Sequence, residues 1–265
     1  MAYFDEGAGT EPILMLHGNP VAGYVFVPLM QELLPDYRCV IPDLFGFGMS
    51  DKPAEVGRFS LAGHIDQVAA VIRQLQLERI TLVVHDWGGP IGLGAALQEP
   101  HRYRRLVLLN TMTEAPMRIM PIYQIPFYVL LRLNRLFAYL VRERNLFQRL
   151  GVAIMDPEDQ AVYFRANHDW DSRAGIAAFP HMIPDSVHHP NYPILKEILA
   201  RVEQWDIPSL VLFSDHDSVF SAEQGLKFAR RMANARFERV DGPKHFLQYE
   251  QPQRVGRLIK EFLAT

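Results

Sequence analysis

Ile80–Ala96 reads ITLVVHDWGGPIGLGAA, and its two halves ask opposite things of the backbone. The apolar run up to Val84, rich in β-branched residues, has the length and composition of a buried strand. From Gly88 onward small residues take over, and a helix is predicted through about Gln98. Between the two, the chain must reverse at His85–Asp86–Trp87. A turn this sharp needs small neighbours, because the start of the helix packs against the strand. The residue at its apex is held in strained geometry beside the N–H groups of a helix start, where negative charge is favoured. That residue is Asp86, and its two carboxylate oxygens can attack carbon directly. Asp is also a favoured helix N-cap, so the turn taken alone leaves that plainer role open.

The same rhythm extends to both sides. Ile13–Leu16 is an apolar run closed by HGNP, and Arg38–Ile41 is another, closed by the turn-rich PDLFGFGMSDKP. Ser60–Leu77 carries Leu61, Ile65, Val68, Ala69, Ile72 and Leu75 at helical spacing, and Leu106–Leu109 is a further strand. Strands alternating with helices predict an open, mostly parallel α/β sheet, with the ligand site beyond the carboxyl ends of the strands. After Asn110 the rhythm breaks. Met117–Leu150 reads as helical and apolar, and Pro157–Pro193 as irregular, with Trp170, Phe179 and several histidines. Strands return at Ser209–Phe213 and Arg236–Val240, with a final helix near Pro252–Leu263. The economical division is a sheet domain built from 1–112 and 204–265, with a helical cap inserted over 113–203.

Two companions raise the reactive reading of Asp86 above the N-cap. HGNP at His17–Pro20 ends an early strand, where a backbone N–H can face the turn. His245, in DGPKHFLQYE after the last predicted strand, is the natural base. An orienting acid is expected after the strand at 209–213, where LVLFSDHDSVF offers Asp215 and Asp217; Asp217 lies farther into the loop, and Asp215 suits a turn-stabilising role. Asp86, Asp217 and His245 then follow the chain order nucleophile, acid, base. Glu114 is a fallback acid.

Composition bounds the remaining classes. A chain of 265 residues with a formal charge of −3 has no basic block to serve as a phosphate footprint, so no nucleic-acid partner is expected. The single cysteine, Cys39, lies in an apolar stretch and reads as a buried inert thiol. MAYFDEGAGTEP carries no signal-peptide pattern, and Pro121, Pro126 and several arginines interrupt the greasy segment Ile119–Leu150, so no membrane span is expected. A cytoplasmic location fits, and a periplasmic one is compatible. His181, His188 and His189 share a loop with Asp185, but their spacing matches no ordinary zinc pattern, and no metal or cofactor is expected.

Taken together, HGNP at 17–20, PDLFGFGMSDKP at 42–53, VVHDWGG at 83–89, FSDHD at 213–217 and GPKHFLQYE at 242–250 resemble the haloalkane dehalogenases, in the aspartate-nucleophile branch of the α/β-hydrolase superfamily. The cap stretch YFRANHDWDSRAGIAAFPHMIP is similar to a family segment, and the likeness spans nearly the whole chain. The resemblance implies an α/β-hydrolase fold and hydrolysis of a small apolar halogenated substrate by water, releasing halide. The halide would be bound by the indole N–H of Trp87 and the side-chain amide of Asn19, and the oxyanion by the backbone N–H groups of the same two residues. Phe47, Phe127, Phe164, Phe179 and Phe246 are expected to line the pocket. Epoxide hydrolases share the HDWG turn, and opening of epoxides is the alternative activity. Those enzymes use cap tyrosines, for which Tyr163 and Tyr139 are available, but usually carry a bulky residue where this chain has Asn19. Two departures stand out. NPVAGYVF replaces the usual continuation after HGNP, and MAYFDEG reads as the family's second strand, leaving its first edge strand without a counterpart. In one subgroup a cap tryptophan is the second halide donor; Trp170 is the candidate here, and Asn19 is preferred to it. The sequence sets neither the preferred substrate nor the oligomeric state.

Overall fold

All seven residues of β4 (Ile80–Asp86) are buried. A strand covered on both faces has no solvent side to make polar, which is why this run is continuously apolar and does not alternate. In the computed structural model, which describes residues 1–34, 36–117, 131 and 133–265, β4 is the central strand of a seven-stranded sheet. The others are β1 (Tyr3–Glu6), β2 (Ile13–Leu16), β3 (Cys39–Pro42), β5 (Tyr103–Thr111), β6 (Ser209–Ser214) and β7 (Ala235–Val240), and the spatial order is β1-β3-β2-β4-β5-β6-β7. Only β1 runs antiparallel, pairing with β3 at the edge. It is mostly exposed and carries Asp5 and Glu6, charges that suit a strand with one open edge. Arg38 clamps Asp5 with two hydrogen bonds of 2.7 Å.

Helices cover both faces. α1 (Val27–Leu33) lies against the C-terminal helix, and α2 (Leu61–Gln74) turns Leu61, Ile65, Val68, Ala69 and Ile72 inward. Ser60 caps α2 by accepting the Gly63 N–H at 3.1 Å. α3 (Gly88–Ala96) is buried throughout, and its small residues permit this: a Cβ at Gly92 would press on Leu16 and Val84, and one at Gly94 on Ile65.

Between β5 and β6 the described segments are helical. α4 (Asn134–Ala138) runs into a π-helical turn at Tyr139–Glu143, followed by α5 (Leu146–Gly151), α6 (Pro157–Ala166), α7 (Ala174–His181) and α8 (Tyr192–Gln204). The expectation of irregular structure over Pro157–Pro193 holds for 182–191 and is corrected for the two helices before it. α6 and α7 begin after Asp156 and Arg173, and α7 continues through Pro180. Residues 174–180 are all buried, so no polar face marks this helix in the sequence. α8, assigned to the cap by its position in the chain, packs against α3, with Ile198 near Gly94 and Arg201 donating to the Leu97 carbonyl at 2.9 Å.

The insertion is tied to the sheet domain by polar contacts. Gln148 of α5 donates to the Pro20 carbonyl at 3.2 Å, and Arg142 donates to that of Ala54 at 3.1 Å. On α6, the carboxylate of Asp159 accepts the hydroxyl of Tyr24 at 2.8 Å and that of Tyr249 at 2.6 Å. Tyr249 lies on α9's successor in the chain: α9 spans Ala222–Ala229, α10 Leu247–Glu250 and α11 Pro252–Leu263.

The tightest junction in the fold is between α3 and the strands beneath it. A Cβ on Gly88 would overlap the backbone carbonyl of Leu16, which cannot move without shifting β2. Gly88→Ala is expected to cost about 1–3 kcal/mol and lower Tm by several degrees in circular-dichroism melting. Gly57→Ala is the control, since nothing lies within 4 Å of a Cβ there. Equal Tm values for the two variants would show that the junction has slack.

Candidate active site

Asp86 closes β4 with φ of +53°, in the left-handed region where an L-residue is strained. Several contacts hold it there. Thr111 sits opposite Asp86 on β5, and its hydroxyl donates to the Asp86 carbonyl at 2.6 Å. The backbone N–H of Asn19 donates to Asp86 Oδ1 at 2.8 Å, and the backbone N–H of Trp87 also hydrogen-bonds the carboxylate. HGNP therefore meets the turn from the side. It can come this close because residue 18 is glycine; a Cβ there would overlap the Asp86 carboxylate. Burial is the largest influence on Asp86, and it pushes the carboxyl up to about 6 against the opposing pull of His245 and the two N–H donors.

His245 occupies the loop between β7 and α10. Its Nδ1 is 2.9 Å from Asp217 Oδ2, and its Nε2 is 3.9 Å from Asp86 Oδ2. Because Asp217 accepts, Nδ1 carries the hydrogen and Nε2 faces Asp86. Burial alone would lower His245, but the charge of Asp217, its hydrogen bond and the charge of Asp86 outweigh that and raise it to about 9. The Val219 N–H fixes the other Asp217 oxygen at 2.7 Å. Asp215 is engaged elsewhere, accepting the Gly242 N–H at 2.9 Å, and Glu114 accepts from Gln224 at 2.9 Å. Of the three acids considered from the sequence, Asp217 is the one at the histidine.

Two residues that sequence reasoning missed hold His245 from behind. His85 Nε2 donates to the His245 carbonyl at 2.9 Å, and Asn110 Nδ2 reaches the same carbonyl at 3.1 Å. His85 is fully buried and kept neutral, chiefly by desolvation. The available signal was position: each is a polar residue at the carboxyl end of an apolar strand, where ligand sites of such sheets form.

Asp86 and His245 open into a cavity of about 530 Å³. Its described lining is mainly apolar, including Met112, Met117, Phe147, Leu150, Ile154 and Phe246, with Asn19 and Trp87 beside Asp86. The aromatic lining expected from the sequence is only partly realised. Phe246 faces the cavity. Phe179 stacks edge-on behind Trp87 at 5.2 Å, and Phe47 packs on Phe179 at 4.9 Å, so the two back the Trp87 indole and are not among the lining residues. Phe164 lies half-buried under Arg149, at 5.2 Å from its guanidinium, and is likewise not in the lining. Phe127 lies outside the described residues.

The remaining candidates fall away from the cavity. Trp170 is 41% exposed and lies under Arg142 at 4.4 Å. Tyr163 is buried against Tyr24, Tyr139 is half-exposed, and no tyrosine is among the described lining residues. His189 has both ring nitrogens engaged by backbone, Nε2 with the His181 carbonyl at 3.1 Å and Nδ1 with the Asn191 N–H at 3.1 Å, which leaves no lone pair for a metal. The Cys39 thiol is buried and pushed up to about 12, as an inert thiol would be. No helix among the described residues is long and apolar enough to cross a membrane.

Comparison with known proteins agrees with this architecture. A family model described as alpha/beta hydrolase fold matches residues 11–252. The chain is 31% identical over 272 residues to a cis-3-alkyl-4-alkyloxetan-2-one decarboxylase of Shewanella oneidensis, covering 99% of this chain and 84% of that protein. It is 32% identical over 241 residues to haloalkane dehalogenase 1 of Mycobacterium tuberculosis, covering 89% and 78%. Among solved structures, the haloalkane dehalogenase DatA from Agrobacterium tumefaciens C58 superposes with a TM-score of 0.88 at 26% identity, covering 99% of this chain and 91% of that one. A parallel sheet whose central strand ends in the strained Asp86 turn, a cavity beyond its carboxyl edge and relatives of both kinds lead to one conclusion: the chain belongs to the α/β-hydrolase fold family and is a haloalkane dehalogenase-like hydrolase.

Proposed function

We propose that the protein hydrolyses haloalkanes to alcohol, halide and a proton through an alkyl ester on Asp86. The observation that carries this reading is the placement of an aspartate carboxylate, not a serine, at the strained turn, facing an apolar cavity beside Trp87 and Asn19. Asp86 Oδ1 is held by the Asn19 N–H, which leaves Oδ2, on the His245 side, to attack the halogen-bearing carbon. The halide departs toward the Trp87 indole and the Asn19 amide. A halide would take the Nδ2–H of that amide, since Asn19 Oδ1, which has no hydrogen-bond partner among the described residues, is an acceptor and offers an anion nothing.

Esterification removes the negative charge of Asp86, one of the influences that raise His245. The imidazole thus becomes easier to deprotonate at the stage where a base is required. His245 then takes a proton from water, Asp217 stabilises the resulting imidazolium, and hydroxide attacks the ester carbonyl carbon. The oxyanion forms on Oδ1, which already accepts the Asn19 N–H, with the Trp87 N–H on the same carboxylate. Its collapse breaks the ester C–O bond and releases the alcohol, which takes up a proton as it leaves. No step calls for a metal or cofactor.

The oxetanone decarboxylase relatives favour a second reading with the same nucleophile. Asp86 would attack the ring carbon that bears the lactone oxygen, breaking that C–O bond and freeing a carboxylate. Loss of carbon dioxide with expulsion of Asp86 would then give an alkene. This route consumes no water, so His245 would have no proton to remove. Epoxide opening is less well supported, because the described lining offers no tyrosine to protonate the epoxide oxygen.

The deciding experiment compares wild type, Asp86→Asn and His245→Gln on terminal bromoalkanes, a styrene-type epoxide and a cis-dialkyl oxetanone. Catalytic bromide release is expected from wild type and none from Asp86→Asn. His245→Gln should release about one equivalent and gain the mass of the alkyl group. Alkene and carbon dioxide without bromide would establish the second reading, and diol alone would establish epoxide hydrolysis.

The alkylation step has a defined pH dependence. The reacting form is the anion, and burial raises Asp86 to about 6, so reactivity is lost as pH falls through that value. In rapid-mix measurements of the bromide burst, the rate should fall about tenfold per pH unit below about 6. A burst rate that stays flat down to pH of about 4, the ordinary carboxyl range, would show that burial does not control the nucleophile.

A further inference from the structure

We infer that the cavity is built for an amphiphilic substrate: an apolar chain with an anionic group, a carboxylate, at the end remote from the reacting carbon, received by Lys244 at the mouth. The inference rests on Asp86 marking the reacting end. Exposure orders the lining by depth. Trp87 and Asp86 are 3% and 6% exposed, whereas Leu150 is 67% and Ile154 39% exposed. Ser218 and Lys244 are exposed as well. The exposed part of the lining therefore combines two apolar side chains with a hydroxyl and an ammonium. Apart from Asp86 and His245 at the floor, Lys244 is the only residue with an ionisable side chain in the described lining.

The position of Lys244 is fixed by its backbone. Its carbonyl accepts from Asn110 Nδ2 at 3.1 Å and from the Ser214 hydroxyl, and its N–H donates to Glu250 at 2.9 Å. Of the acids flanking it in sequence, Asp241 pairs with Arg254 at 3.6 Å and the Glu250 carboxylate is turned to the N–H groups of Lys244 and Phe246, and neither forms an ion pair with the Lys244 ammonium among the described contacts. An exposed cation on a backbone anchored among the lining residues attracts anions without the desolvation cost of burial. A purely hydrocarbon substrate would gain nothing from it. A carboxylate could stay half-solvated at the mouth while its chain fills the cavity.

Two sets of measurements test this on wild type, Lys244→Met and Lys244→Arg. In the binding set, calorimetry compares ω-hydroxybutanoate, ω-hydroxyhexanoate and ω-hydroxyoctanoate with alcohols of the same chain length. Wild type should prefer a carboxylate by roughly three- to tenfold at its best length, the return of a half-exposed ion pair. The preference should vanish in Lys244→Met, survive in Lys244→Arg and shrink in salt. In the turnover set, ω-bromoalkanoates are compared with bromoalkanes, and the same ratio should appear in KM. A binding preference without bromide from either series would keep the anion site and remove dehalogenation. Equal binding of acids and alcohols to wild type, or a preference that Lys244→Met leaves intact, would overturn the inference.

Discussion

The Asp86 carboxylate is withdrawn from water on a strained left-handed turn, and two backbone N–H donors and a histidine compensate for its isolation. Burial destabilises an anion, so this group could not exist ionised in the cavity without these partners. Their presence dictates much of the neighbouring sequence. Gly18 lets the loop after β2 approach the carboxylate, Gly88 lets α3 start against Leu16, and Thr111 ties the strained carbonyl to β5. A poorly solvated carboxylate is also a better nucleophile than one in water, so in the proposed reaction the feature that is costly in the folded state favours attack.

The middle of the sheet was legible because its strands are buried on both faces and leave apolar runs, unlike the edge strands β1 and β7. β4, β5 and β6 lie where Ile80–Val84, Leu106–Leu109 and Ser209–Phe213 were read, each extended by residues whose own polarity hid them. Asp86, Asp217 and His245 were legible for a related reason: residues at the ends of such runs share one edge of the sheet. The lining of the cavity was not. Being aromatic and in the insertion says nothing about which way a ring points, and Phe47 and Phe179 turned out to support Trp87 from behind. His85 and Asn110 act on His245 through a backbone carbonyl, a contact between distant parts of the chain with no local signature.

Relatives named for two different reactions share this scaffold, and the geometry suggests how. Formation of an ester on the aspartate is common to both readings, and the two diverge only in what happens to the ester. One path needs a water and a base; the other needs a substrate that carries its own leaving carboxylate. Small changes in cavity shape and in the histidine environment can therefore separate activities that the sheet and the nucleophile turn do not distinguish.

The bridge made by Asp159 bears on how such enzymes could be recombined. Its two oxygens take hydroxyls from Tyr24, five residues beyond Asn19, and from Tyr249, four residues beyond His245. The helical segment between β5 and β6 is thus pinned to the two segments that carry Asn19 and His245. A chimera that grafts a foreign lid onto this sheet without an acid at 159 would free both segments at once. The tyrosine pair is the joint that a transplant of the segment between β5 and β6 would have to match.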